Sequence, residues 1–261
     1  MKHRIVLLLS FVLILAASAF AQKHLEKPYT EWGKEDSLRI VNDSAWSKPY
    51  QGTIGATNAA AGQVFREQGQ TVNSGGSNPR SVSRDNGPPP VTMRLHSGLT
   101  VRRALVRLKQ IEAGYDKMDA AKKVEFDASW KKFLECAICK DYYVVTLIKS
   151  VDSSRMSNEE AVFQGMTFDQ LKGHIKLVND KGEERELIQF NAPKNYLDQA
   201  VFYFKRVDTA ANPLLTTDSK TLRFAFDSYI LEPANNRFAY LLPRTLEFRV
   251  PKIILGGTVD F

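Results

Sequence analysis

The stretch HIKLVNDKGEERELIQF, residues 174–190, decides the fold. Ile175 and Leu177 alternate with polar neighbours in one arm, Leu187, Ile188 and Phe190 occupy the other, and Asn179 to Gly182 supply turn chemistry between them. Period-two apolar spacing around an Asn/Asp/Gly turn predicts a β-hairpin. The same reading extends toward the C-terminus. QAVFYFKRVD (199–208) sets Val201, Tyr203 and Lys205 against Phe202, Phe204 and Arg206, so at least one face is buried. KTLRFAFDS (220–228) puts Leu222, Phe224 and Phe226 on one face, and RTLEFRVPKIIL (244–255) and GGTVDF (256–261) supply closing strands. Pro251 marks an edge or a bulge. Short strands separated by turns predict a mostly antiparallel, β-sandwich-like body.

Upstream, VTMRLHS (91–97) alternates Val91, Met93 and Leu95 with Thr92, Arg94 and His96, which predicts a strand with one buried face. Two helices follow, over about 99–138. The first enters through Thr100, places Val101, Leu105, Leu108 and Ile111 or Tyr115 on an apolar side, and turns Arg102, Arg103, Arg107 and Lys109 mostly to the other. The second, capped by Asp119, carries Phe126, Trp130, Phe133 and Ala137 at helical spacing. YYVVTLIKS (142–150) is a β-branched, aromatic strand. The fold class is therefore α+β: a β body over 91–261 with a helical pair inserted early.

Residues 51–90 are rich in Gly, Ser, Asn, Gln and Thr and end in Pro88-Pro89-Pro90. Such a segment buries too little surface to offset its ordering entropy, so a flexible linker is expected. Before it, residues 22–50 form an N-terminal helical segment. Leu38, Val41 and Ala45 share a helix face, Trp32 and Trp46 stand near the ends, and a separate helix over about 32–44 is predicted. Residues 1–21 combine Lys2 and Arg4, an apolar run from Ile5 to Leu15, and an Ala19-Phe20-Ala21 end. That pattern is a secretory signal peptide with a mature start at Gln22, and it predicts export to the periplasm or beyond the cell. No later stretch reaches the roughly 20 apolar residues of a membrane span. The net charge of +7, part of it in the leader, is dispersed among many acids. It forms no basic stripe with a nucleic-acid motif, so no nucleic-acid partner is expected.

FLECAICKDYY (133–143) contains both cysteines, Cys136 and Cys139. A thioredoxin-type pair opens a helix, where the dipole lowers a thiol pKa, whereas this pair closes a predicted helix ahead of a strand. Haem attachment needs His after the second cysteine, and the chain has Lys140. A zinc site needs about four close ligands, and His24, His96 and His174 are scattered. A disulfide or two buried apolar thiols is the expectation for an exported chain, with redox and metal roles as rivals. No metal or cofactor is expected.

Other chemistry-bearing patterns are weaker. NSGGS (73–77) lies in the linker with no strand before it, Glu159 and Glu160 are adjacent and point apart on a helix, and Asp198, Asp208 and Asp227 form a pair only if the fold gathers them. Trp32, Trp46, Arg102, Arg103 and Arg107 are the candidate partner-binding residues. The tryptophans would form a docking arm, the arginines a basic helix face for an envelope protein or an anionic cell-surface component. Against this, tryptophans commonly pack on their own chain and a basic helix face is commonly just solvated.

Three segments, KPYTEWGKEDSLRIVNDSAWSK (27–48), VTMRLHSGLTVRRAL (91–105), and AVFYFKRVDTAANPLLTTDSKTLRFAF (200–226) with LEFRVPKIILGGTVDF (246–261), resemble an uncharacterised family of exported bacterial proteins, the Trp32–Trp46 spacing being the most recognisable element. The resemblance implies one architecture across the mature chain and transfers no activity or site. The sequence thus points to an exported envelope protein that works as a binding or structural module. Its alternative is an enzyme of unrecognised type, thiol-dependent through the Cys-x-x-Cys pair.

Overall fold

The computed structural model describes residues 23–50, 91–149 and 160–261. The expected leader, the Gly/Ser-rich stretch 51–90 and Glu159 lie outside the described residues. The hairpin of 174–190 forms as its pattern dictates: β4 (Ile175–Asn179) pairs antiparallel with β5 (Glu184–Asn191), placing Leu177 opposite Arg185. Its turn closes on Asn179, whose side-chain oxygen accepts from the backbone N–H of Lys181 and of Glu183. Gly182 turns there at φ +82°, a left-handed conformation that glycine adopts without a Cβ clash.

Outward from this hairpin, β6 (Ala200–Lys205) pairs with β5 and β7 (Thr221–Phe226) with β4. β8 (Thr245–Arg249) extends the β7 side. On the other side stand β3 (Tyr142–Lys149), β2 (Val91–Leu95) and β1 (Ser47–Tyr50). The eight strands form a single antiparallel sheet in the order β1-β2-β3-β6-β5-β4-β7-β8, nearly barrel-like. This differs from the two packed sheets expected of a sandwich, because strand spacing fixes neither closure nor curvature. β9 (Ile254–Leu255) and β10 (Thr258–Val259) make a separate two-stranded ribbon. Pro251 falls in a 3₁₀ turn after β8.

Curvature has a local cause. The register between β5 and β6 slips at Ile188, with Leu187 facing Phe204 and Gln189 facing Tyr203. The extra residue bends the strand and sharpens its twist. Ile188 is thereby turned outward while Leu187 stays buried, so the two do not share the core as the apolar run suggested. The sheet's ends draw near one another: Trp46, beside β1, shares a core with Leu246 and Phe248 of β8. Burial lowers the pKa of Lys48 on β1; Asp43 opposes this, and the charges of Lys252, just beyond β8, and of Arg249, at its end, add to it.

The interior is filled with aromatic rings. Phe202, Phe204, Phe224 and Phe248 are fully buried, and Phe163 enters from the loop before β4 to contact Phe190, Phe202 and Phe226. Phe163 adopts φ +68°, which costs a residue with a Cβ roughly 1–2 kcal/mol, offset here by burial of the ring.

The helices cover the sheet's N-terminal half. α1 (Lys34–Asn42) buries Ser37, Ile40 and Val41, leaving Leu38 at 37% exposure, one position off the face the spacing suggested. It covers the outer face of β2. Arg94 Nε donates to the Val41 carbonyl at 2.5 Å, and all five β2 residues are buried rather than one alternate set. α2 (Leu99–Glu112) packs against α1 through a second core of Trp32, Ile40, Val41 and Ala104. α3 (Ala120–Glu135) begins at Asp119, whose side chain accepts from the Lys122 N–H, and none of its residues is fully buried.

Candidate functional site

The cysteine turn sits where α3 meets β3. Cys136 terminates α3 in a left-handed conformation, φ +43°, and a 3₁₀ turn over Ala137–Lys140 leads into β3. The Cys139 N–H donates to the Cys136 carbonyl at 2.8 Å, which closes the turn and brings the two side chains together. Cys136 and Cys139 are joined as a disulfide. Cys139 is buried, at 4% exposure, while Cys136 is half-buried and its neighbours Ala137, Ile138 and Lys140 are exposed.

Arg102 lies beneath this turn. The alternation of α2 suggested a solvated basic face, but Arg102 is only 4% exposed and Arg107 6%. The reason is the layer above: α3 and the segment around Trp32 pack over α2, so both of its sides are covered. Arg102 Nε donates to the Leu134 carbonyl at 3.1 Å, and Nη1 donates to the carbonyls of His96 and Ser97 at 3.2 and 2.5 Å. Nη1 also lies 3.5 Å from Cys139 Sγ. These bonds offset desolvation of the guanidinium, but among the described residues no carboxylate pairs with it directly. Its pKa falls to about 10 through burial; Asp260 pulls it up, and Arg206 and Arg103 push it further down. Asp260 instead accepts from the backbone N–H of Thr100, at the start of α2.

His96, one residue past β2, flanks the cluster. Its ring meets Phe133 edge-on at 5.3 Å, and Nδ1 is buried without a partner among the described residues. Burial lowers its pKa to about 4, and the charges of Arg102 and Arg94 add to the shift, so the imidazole is neutral near pH 7. Arg107 has a different setting. Nε donates to the Trp32 carbonyl at 2.8 Å, and Nη1 and Nη2 bind the two oxygens of Asp116, each at 2.9 Å.

Trp32 and Trp46 are both buried, in different cores. Trp46 reaches under Gly98, where a Cβ would lie 2.7 Å from its Cδ1. Arg103 alone of the five candidate contact residues faces outward, its guanidinium 5.9 Å from the centre of the Tyr29 ring. The tryptophans and the other two arginines are occupied by the protein's own interior.

The remaining candidates stand apart. Asp198 accepts from the N–H groups of Lys194 and Gln199, and Asp208 from those of Ala210 and Asn212, so each holds its own loop. Asp227 caps the short helix α5 (Ser228–Leu231), which follows α4 (Phe168–Leu171) in the chain, and lies 2.5 Å from His174 Nδ1. Tyr229 stacks on that imidazole at 4.2 Å. Nothing in the spacing of residues 174 and 227 signalled this pair, which β4–β7 adjacency creates. A cleft of about 330 Å³ opens beside Phe163, Gln164, Met166, Asn236 and Arg237. Glu160 forms an ion pair with Arg237 near it. Among the described residues no three His, Cys, Asp or Glu side chains gather as a metal site, and no helix is long and apolar enough to cross a membrane.

No protein-family model matches the chain, and neither does any curated protein or solved structure.

Proposed function

We propose that this protein is exported to the periplasm or cell surface and works there as a non-catalytic binding module, with α3 as its contact element and an envelope protein as its partner. The observation that carries this reading is the outer helix. α3 spans sixteen residues without one fully buried side chain, yet Phe126, Trp130 and Phe133 line one side in ring-to-ring contact at 6.2 and 5.5 Å. All three are half-buried, so part of each ring faces solvent. Half-covered aromatics in a row are typical anchors of protein interfaces, where large area is buried at low entropic cost. The signal-like leader supports export, and an inserted helical pair on a β body would present such a face.

The test uses the mature chain. Protein recovered from the exported fraction should have a mass that begins at Gln22, and mild crosslinking there should join it reproducibly to one partner. Trp130→Ala should reduce that product about tenfold while leaving the melting temperature nearly unchanged. Equal crosslinking by wild type and variant, or transfer of both to anionic vesicles instead, would sink the α3 interface.

A further inference from the structure

Beyond binding, we infer that Cys136 and Cys139 form a reversible thiol–disulfide exchange couple whose leaving group is the Cys139 thiolate, held by the buried guanidinium of Arg102. The position of the pair after a helix argues against redox activity only if the helix dipole is the strongest field present. The dipole's negative end amounts to about half a charge and falls off within a turn. It acts on Cys136, the residue that terminates α3. Cys139 lies three residues further on, within 3.5 Å of a full positive charge that is buried and has no directly paired carboxylate among the described residues. At low local dielectric, a unit charge in contact outweighs half a charge at the far end of a turn. The two sulfurs thus differ in field as well as in access.

Access assigns the direction. Cys136 is half-buried amid exposed neighbours and Cys139 is buried, so an incoming thiolate reaches Cys136 Sγ first. A bond forms between the substrate sulfur and Cys136 Sγ as the Cys136–Cys139 bond breaks. The electron pair leaves on Cys139, whose thiolate is met by Arg102 Nη1. A second substrate thiolate then attacks the substrate sulfur of the mixed disulfide. The substrate departs as a disulfide, and Cys136 takes the electron pair and a proton from water. Two electrons pass from two substrate thiols to the protein's own disulfide, and no other oxidant enters. The substrate class is a pair of thiols, and the reverse sequence reduces a disulfide.

Arg102 also ties the carbonyls of His96, Ser97 and Leu134 to one another. Losing the disulfide therefore leaves the guanidinium in place and gives it an anionic partner, so the reduced state is stabilised rather than left with an unpaired charge. A leaving group of lowered pKa departs faster, and a stabilised reduced state makes its disulfide the stronger oxidant.

The deciding experiment equilibrates the folded mature protein in glutathione buffers and reads the dithiol fraction by alkylation and mass. Wild type should interconvert without denaturant. Arg102→Met should shift the equilibrium about tenfold toward the disulfide, which is about 30 mV for a two-electron couple, and Arg102→Lys should recover part of the shift. Because Arg102 variants remove buried hydrogen bonds and risk unfolding, single-cysteine chains give an independent reading. In Cys136→Ser, the Cys139 thiol should titrate below the ordinary value of about 8.5. In Cys139→Ser, Cys136 should form a mixed disulfide with glutathione. A Cys139 thiol that titrates at or above about 8.5, or a disulfide that glutathione leaves intact until the chain unfolds, would overturn the proposal.

Discussion

At the scale of single residues, the side chains that matter most are those that hold separate elements together. Arg107 binds the Trp32 carbonyl and both oxygens of Asp116, linking the N-terminal segment to α2 and the turn after it. Arg107→Met should cost about 2 kcal/mol, because it removes the buried guanidinium and its hydrogen bonds to the Trp32 carbonyl and to Asp116. Asp116→Asn should cost much less, since Asp116 is largely exposed and its ion pair is screened. Urea denaturation of the two variants compares them directly, and equal losses would contradict this division. Gly98 is constrained by approach rather than by backbone angle: its φ of −64° suits any residue, but the Trp46 indole occupies the place of a Cβ. Gly98→Ala should destabilise by about 1–3 kcal/mol through displacement of that ring, with a matching change in tryptophan fluorescence. A silent substitution would mean that the indole has room to move.

Among the elements, α2 and α3 illustrate opposite balances. α2 is buried on most sides, so Arg102 and Arg107 serve as internal hydrogen-bond donors while Arg103 stays at the surface. α3 depends on its Asp119 cap and its row of rings. A helix with no fully buried residue opens locally at low cost. Asp119→Ala should therefore raise amide exchange across Ala120–Glu135 several-fold, consistent with loss of about 1 kcal/mol from an N-cap, while protection in β3 and β6 stays unchanged. Exchange that rises equally in the sheet would show α3 to be part of the global folding unit. The hairpin of β4 and β5 was legible from its alternation and its Asn/Gly turn, but the slip that turns Ile188 outward was not. The burial of α1 and β2 was not: Leu38 marked the wrong edge of the helix face, and β2 alternates in sequence yet is covered on both sides. Periodicity reports which residues share a face. It does not report what lies against that face.

For the whole molecule, a neutral imidazole in the body makes stability depend on acid. The folded His96 pKa of about 4 lies below its ordinary value of 6.5, so the unfolded chain binds a proton first as the pH falls. Its contribution is fully present above pH 6.5, declines between 6.5 and about 4, and is gone below that. The loss amounts to roughly 3 kcal/mol by linkage. Asp116, held below the ordinary carboxylate range first by its bond to Arg107, adds a smaller loss at still lower pH. Urea midpoints across pH 7 to 4 should fall for wild type and flatten for His96→Gln, whereas parallel curves would assign the acid sensitivity elsewhere.

From the amino-acid order alone came the strands other than β1, the hairpin, the helix capped by Asp119 and the adjacency of the two cysteines, since each depends on contacts between near neighbours and on the period of apolar side chains. Only the tertiary structure decided that eight strands join in one curled sheet, that Trp32 and Trp46 enter two different cores, and that Arg102 lies against Cys139 across thirty-seven positions. Those facts depend on which surfaces meet. A charged side chain on a helix reads the same in sequence whether water or another layer of protein covers it, and here the covering layer turns Arg102 toward sulfur.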